Sequence, residues 1–341
     1  MIQKIGILGA GSIGCYLGGH LLHAGFSVVF VGRERLQKEI LENGLTISHF
    51  TDKQFGIYPD KIQYETSMDK LADCDLILVT VKSQDSESSA LQLKKIFGDN
   101  KNKTLVSFQN GVTNAKRISC ILTSSKVLAG MVPYNVVSLG EGKFHSGTSG
   151  KLMIQESGSL SEEILSIFRK SDLEIESHSN MEGILWGKLI FNLNNSINAL
   201  AGIPLKEELS DRKFRKILSA SMKEAFGIMK KSGIKPISLG KMIPWLAPFI
   251  LGLPDFLFFR VASSMVKIDP DARSSMWEDL QKNRKVEFDY INGEIIALAK
   301  AHNLDSPIHS KIESLIREAE SKKNGSPCYS AEELSSFLGI T

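Results

Sequence analysis

Short apolar runs that close on glycine or a polar turn alternate with helical periodicity through the first half of the chain, and helical periodicity fills nearly all of the second. Lys4-Ile-Gly-Ile-Leu8 reads as a short buried strand, residues 15–24 as a helix ended by Gly25, and Ser27-Val-Val-Phe-Val31 as a second strand. Residues 76–82, 104–111 and 127–132 repeat the strand pattern. The Gly-, Ser- and Thr-rich stretch 140–150 predicts a hairpin or loop, and 151–154 a late strand. An amphipathic helix with a capping start is expected at 161–169, and a last strand-like piece at 173–177. Strand signals then stop. The expected fold class is α/β: a parallel-sheet domain over 1–178, then an all-helical domain over 179–341.

In that second part, residues 185–201, 214–231, 286–301 and 308–322 show helical spacing, and Gly202-Ile-Pro204 ends the first of these helices. An apolar stretch at 242–259 falls between helices. It predicts a buried helical corner or a subunit contact, with a lid over the substrate as the sharper alternative.

Composition narrows the class. The 341 residues are 42% hydrophobic and 23% charged, with 41 Lys+Arg against 38 Asp+Glu, a net charge of +3. That balance gives no reason to expect nucleic acid or a membrane surface as partner. Cys15, Cys74, Cys120 and Cys328 are scattered, without metal-ligand or disulfide spacing, so no metal is expected and a reducing cytoplasm suits the chain. No basic-then-apolar leader precedes Ile2–Leu8. The most apolar run, 242–254, carries three prolines and is shorter than the roughly 20 residues of a spanning helix.

The first chemistry-bearing motif is Gly9-Ala10-Gly11-Ser12-Ile13-Gly14, set between the first strand and the first helix. This is G-x-G-x-x-G in the strand–turn–helix context that dinucleotide binding requires. Gly9 permits the tight turn, Gly11 lets backbone approach a pyrophosphate, and Gly14 lets helix and strand pack closely. The helix amino end then offers N–H groups to phosphate. After the second strand the chain reads Gly32-Arg33-Glu34-Arg35. An acidic residue first in that place would favour the ribose hydroxyls of NAD, whereas Arg33 suits a 2′-phosphate, so NADPH is expected. The alternative leaves Arg33 in solvent and gives the ribose to Glu34. Lys82 and Asn110 lie at carboxyl ends of later strands, the edge that faces the ligand crevice in such sheets, and are expected near the nicotinamide.

The second motif is the helix at 185–201, apolar in body but carrying one lysine and four asparagines. At 100° per residue, Lys188, Asn192, Asn195 and Ala199 fall within about 40° of one direction, with Ser196 and Asn198 about 80° to either side. Asparagine is a poor helix former, so a cation lined up with amides suits the capture and protonation of a small oxygen-rich molecule. Further on, Ser275 lies near a helix start, and Glu287 follows 12 residues later. A continuous helix would hold them about 18 Å apart. If both serve one ligand the chain must break between them, around Asn283.

Gly9–Gly14, Val81-Lys82, Gln109-Asn-Gly-Val112, Trp186-Gly-Lys-Leu-Ile-Phe-Asn192, Ser274-Ser-Met276 and Glu287-Phe-Asp-Tyr-Ile-Asn-Gly293, in this order and spacing, resemble the ketopantoate reductase (2-dehydropantoate 2-reductase) family over nearly the whole chain. The resemblance implies a Rossmann domain, then an all-helical domain of the 6-phosphogluconate dehydrogenase C-terminal kind, with the active site in the cleft between them. It implies NADPH-dependent reduction of 2-dehydropantoate to pantoate, on the route to vitamin B5 and coenzyme A. Lys188 corresponds to the catalytic lysine, Glu287 to the glutamate beside substrate and cofactor, and Asn192 and Ser275 to substrate-binding residues. Asn110 and Lys82 correspond to residues near nicotinamide and substrate, and Arg33 to the 2′-phosphate arginine. Some members carry a second asparagine eight residues after the lysine. Here Ser196 stands at that position, and the wheel offers Asn195 in its place. The insertion at 236–269 also departs from shorter members.

Two other readings compete with this one: reduction of a different 2-keto acid on the same scaffold, and a non-catalytic NADPH-binding sensor. A sensor would need only the first domain, so the joint presence of Lys188, Asn192, Ser275 and Glu287 argues for the enzyme. A homodimer is the assembly to test for.

Overall fold

Strands that are apolar at every position must be covered on both faces, and this requirement shapes the first half of the molecule. The computed structural model describes residues 1–98, 103–148, 150–238, 243–262 and 271–340. The chain divides into two compact units, 1–181 and 182–341.

The strands of the first unit are β1 (Lys4–Leu8), β2 (Ser27–Val31), β3 (Leu45–His49), β4 (Gln54–Ile57), β5 (Gln63–Glu65), β6 (Leu76–Val79), β7 (Thr104–Ser107), β8 (Lys126–Met131), β9 (Val136–Gly140), β10 (Lys143–Ser146), β11 (Leu152–Gln155) and β12 (Ile175–His178). Its helices are α1 (Ser12–His23), α2 (Glu34–Asn43), α3 (Ser86–Phe97), α4 (Asn114–Ile121) and α5 (Ser159–Lys170). Eight strands form one sheet in the order β12-β11-β8-β7-β6-β1-β2-β5. From β5 through β8 every pairing is parallel. This is the doubly wound order, with its reversal point between β1 and β6. Residues of α1 and α5, among them Leu17, Leu21, Ile164 and Phe168, share one core with Ile5, Ile7, Leu78 and Val106. Ala90 and Leu93 of α3 and Ile118 of α4 share the other with Leu8, Val29, Ile77 and Val79.

Several details differ from expectation. A second sheet, ordered β4-β3-β10-β9, was not legible because its strands are short and half-exposed, with weak alternation. β11 runs antiparallel to β8. The helix expected from Ser161 starts at Ser159 behind Gly158 without a side-chain cap, and Ser161 instead sits in its first turn with Oγ donating to Gly158 O.

Among the described residues of the second unit the regular elements are all helices: α6 (Met181–Asn192), α7 (Asn194–Ala201), α8 (Leu205–Ser210), α9 (Arg212–Lys231), α10 (Ala247–Gly252), α11 (Asp255–Val261), α12 (Ser275–Gln281), α13 (Asn292–Ala301), α14 (Pro307–Lys322) and α15 (Ala331–Leu338). No described helix is long and apolar enough to cross a membrane. The helix expected over 286–301 is broken: Phe288–Tyr290 forms a single tight turn and α13 begins at Asn292. Side chains of α14 compete for that backbone, with Glu320 accepting from Val286 N and Arg317 gripping Asp289.

The apolar stretch at 242–259 lies partly as the expected corner and partly not. Met242 and residues 263–270 fall outside the described residues. Ala247, Pro248 and Leu251 are buried, whereas Trp245, Phe249 and Phe256 are 60–73% exposed. What anchors this stretch is Arg215 of α9, fully buried. Its guanidinium donates to Leu209 O, Ser210 O, Leu251 O and Leu253 O at 3.0–3.2 Å, reaches Asp255 at 2.6 Å, and lies 4.0 Å over the Phe258 ring. A planar five-donor fork is what so many carbonyls demand, and an ammonium could not serve them together.

Removing that fork strands buried acceptors. Arg215→Ala is expected to destabilise the second unit by about 3–5 kcal/mol, and Arg215→Lys to recover only part of it. All three tryptophans, Trp186, Trp245 and Trp277, belong to the second unit. Urea unfolding followed by their fluorescence therefore reads this unit directly, and wild-type stability in Arg215→Ala would refute the anchor.

Candidate active site and its relatives

The glycine loop sits at the carboxyl end of β1. Gly9 N and Ala10 N both donate to Val31 O, at 3.0 and 2.9 Å, and the Thr80 hydroxyl donates to Gly9 O at 2.8 Å. Gly9 has φ +101°, and a Cβ there would collide with the backbone of Val81; at Gly14 it would press on Gly9 O, Thr80 Oγ1 and Ile7. Glycine is thus required at both positions for the turn and the close approach. The space beside Gly11 is open: a methyl group there would meet nothing nearer than Gly9 O, at 4.0 Å. Gly11 begins α1 without a side-chain cap, and no acidic residue occupies the first turn. Ser12 and Ile13 follow in that uncapped turn, an arrangement suited to phosphate.

At the end of β2, Arg33 is exposed in extended backbone ahead of α2. Glu34 is paired with Lys38 at 2.9 Å, and Arg35 with Glu39 at 3.6 Å. Lys82 and Asn110 follow the neighbouring strands β6 and β7, and both are half-buried. A hydroxyl–amide network ties their two turns together. Ser83 Oγ donates to Asn110 O (3.0 Å), Asn114 Nδ2 to the same oxygen (2.5 Å), and Gln109 Nε2 to Val81 O (2.9 Å) and Ser86 Oγ (2.7 Å). Sequence reading missed Ser83, Ser86 and Asn114, and gave Gln109 no role beyond its place in the Gln109-Asn-Gly-Val112 segment. Their hint was polar residues clustering immediately after two apolar strands.

In the second unit the lysine helix is two segments, α6 and α7, joined at Leu193, which keeps right-handed angles (φ −56°, ψ −24°) and donates to Leu189 O at 3.0 Å. The direction of the side chains therefore carries across the joint. From Gly183 to Ala201 every residue is buried except Lys188, Phe191, Asn192 and Asn195, which are half-buried. One stripe of a helix otherwise sealed in protein thus carries the lysine and two of its amides. Ser196 is fully buried with its hydroxyl on Leu193 O.

Burial lowers the Lys188 pKa to about 8, against the opposing pull of the Glu287 carboxylate. Glu287 is itself buried. It reaches this neighbourhood because α12 stops at Gln281 and Asn283 takes a left-handed φ of +49°. Ser275 is exposed as the first residue of α12, while Ser274 caps the helix, its Oγ accepting from Trp277 N. Gly187, beside Lys188, is closely covered: a Cβ there would strike Ile237 O, and Ile237 N donates to Gly183 O at 2.8 Å. Among the described residues no group of His, Cys, Asp and Glu could hold a metal ion.

Comparison with known proteins places these observations. The profile of the ketopantoate reductase PanE/ApbA family matches residues 5–159, and that of its C-terminal domain matches residues 180–320. The chain belongs to the ketopantoate reductase family. Among its relatives, a 2-dehydropantoate 2-reductase of Archaeoglobus fulgidus is 26% identical across 94% of this chain and 99% of that protein. One from Pyrococcus abyssi is 28% identical across 93% and 98%. The crystal structure of a PanE/ApbA family ketopantoate reductase from Ralstonia eutropha JMP134 superposes with a TM-score of 0.80 at 26% identity, covering 94% of this chain and 99% of that one. A D-mandelate dehydrogenase in ternary complex with NADH and anilino(oxo)acetate shares the fold at a TM-score of 0.76 and 19% identity, over 94% and 99%. The family is one of oxidoreductases, with an α/β first domain and a helical second one, as expected from the sequence.

Proposed function

We propose that the protein reduces 2-dehydropantoate to pantoate with NADPH, Lys188 being the proton donor. The observation that carries this reading is the stripe of Lys188, Asn192 and Asn195, the polar opening in a helix that is otherwise buried. The Gly9–Gly14 loop, with its uncapped helix start, fits the pyrophosphate of a nicotinamide dinucleotide, and Arg33 fits a 2′-phosphate. Lys82, Asn110 and Glu287 are assigned to the nicotinamide end. When bound, the reduced cofactor supplies the hydride.

As the ketone carbon is reduced, its oxygen becomes an alkoxide that must be protonated. Lys188 is suited to that task. With a pKa near 8 it is mostly charged at neutral pH, yet it is a stronger acid than an exposed lysine. Its ammonium also stabilises the charge that grows on oxygen. Glu287 opposes loss of that proton and accepts from a substrate hydroxyl. Asn192, Asn195 and Ser275 orient the carboxylate and hydroxyl without adding charge, Asn195 serving where other members use the position of Ser196. A homodimer is the inferred assembly, in keeping with the dimeric ketopantoate reductase of Staphylococcus aureus. Reduction of another 2-keto acid is the second reading, motivated by the D-mandelate dehydrogenase that shares this scaffold.

The test is cofactor oxidation with 2-dehydropantoate beside pyruvate, 2-ketoisovalerate and oxaloacetate. A strong preference for 2-dehydropantoate is expected, with kcat falling about 10²–10⁴-fold in Lys188→Ala and cofactor affinity retained. A preference for another acid would move the protein to the second reading, and full turnover in Lys188→Ala would refute the donor. In the same assay, Arg33→Ala is expected to raise the KM for NADPH about tenfold or more and leave that for NADH unchanged. An equal effect on both cofactors would remove Arg33 from the 2′-phosphate site.

A further inference from the structure

Three residues ahead of α12 are held one after another by α7 and the segment that follows it. Ala272 O accepts from Leu205 N at 2.8 Å, and Arg273 donates to Gly202 O. Ser274 N donates to Asn198 Oδ1 at 2.8 Å, while Ser274 Oγ donates to Asn195 O at 3.0 Å. Ser275, the serine assigned to substrate, comes next. The central member is Asn198, fully buried, whose amide must face the right way for its oxygen to meet Ser274 N. That orientation is set from the other side. Asn198 Nδ2 donates to Glu208 Oε2 at 2.5 Å and to Ile203 O at 3.0 Å, two acceptors that exclude the flipped amide.

We propose that Glu208 is a positioning residue: by orienting the Asn198 amide it clamps the amino end of α12 onto α7, and so sets Ser275 and Asn195 for the substrate. The proposal rests on the substrate assignment above. Glu208 is 1% exposed, and a carboxyl so deeply buried costs stability unless it is used. Burial raises its pKa to about 8, so it is largely protonated at neutral pH, against the lowering effect of the Asn198 and Asn194 amides. Glu208 Oε1 is a buried oxygen without a hydrogen-bond partner, so the charge of a carboxylate there is left without full compensation. Protonated glutamate and glutamine present the same acceptor and donor, whereas leucine presents neither.

The experiment therefore compares Glu208→Leu with Glu208→Gln, by hydrogen exchange at the Ser274 and Trp277 amides and by keto-acid kinetics. In Glu208→Leu, exchange at both amides is expected to quicken about tenfold or more, and the keto-acid KM to rise about tenfold with kcat and cofactor KM unchanged. Glu208→Gln is expected to match wild type on every count. Unchanged exchange in Glu208→Leu overturns the clamp. Faster exchange with an unchanged keto-acid KM overturns the positioning role, as does a Glu208→Gln enzyme as impaired as Glu208→Leu. Should Glu208→Leu prove insoluble, Asn198→Ala cuts the same clamp at its other member and must give the same pattern. If the wild-type protein reduces no keto acid, the exchange measurements alone decide the clamp, and only the functional reading falls.

Discussion

A lysine half-buried on an otherwise sealed helix has to be paired, deprotonated or put to use, because the desolvation of its ammonium opposes charge. This protein spends a good deal of local structure on Lys188. Glu287 opposes the loss of its proton, and that carboxylate arrives only because the chain stops being helical after Gln281 and reverses through Asn283. Gly187 gives up a side chain so that the backbone of Ile237 can lie against the same helix, where Ile237 N donates to Gly183 O. The outcome is an ammonium whose pKa sits near neutrality, where a general acid is most effective.

Polar side chains elsewhere also supply hydrogen bonds to buried donors and acceptors. The turns after β6 and β7 are joined by serine hydroxyls and by the amides of Gln109 and Asn114. Arg215 satisfies four carbonyls that no backbone ladder could serve. His309 is held neutral, its pKa lowered to about 4 by burial, with its ring on Ser221 O and Asn292. In the first two cases irregular chain is anchored by side chains where regular hydrogen bonding ends.

The legibility of the sequence tracked how local the physics was. β1, the glycine loop, α1 and β2 were readable because strand, turn and helix signals lie within a few residues of one another. The stripe of Lys188, Asn192 and Asn195 was readable because helical periodicity alone brings these residues to one side. The joint at Leu193 left no local signal, and the break before α13 was not readable because it is held by side chains of the distant α14. Ser274 was obscured by its neighbour: Ser275 has the better capping-box spacing to Glu278, yet Asn195 and Asn198 fasten Ser274 and make it the cap. Glu208 carried no signal in the sequence, and only folding brings it to the Asn198 amide. The exposed apolar residues of α10 and α11 fit neither a wholly buried corner nor the pattern of a solvated helix.

The central claim is that Lys188 is a half-buried acid tuned by its surroundings, and its titration tests that most directly. NMR observation of the lysine side chains, with Lys188→Arg to assign the resonance, should give a midpoint near pH 8, moving lower in Glu287→Gln because the opposing carboxylate is gone. A midpoint near the ordinary lysine value of about 10.4, unmoved by Glu287→Gln, would contradict the account.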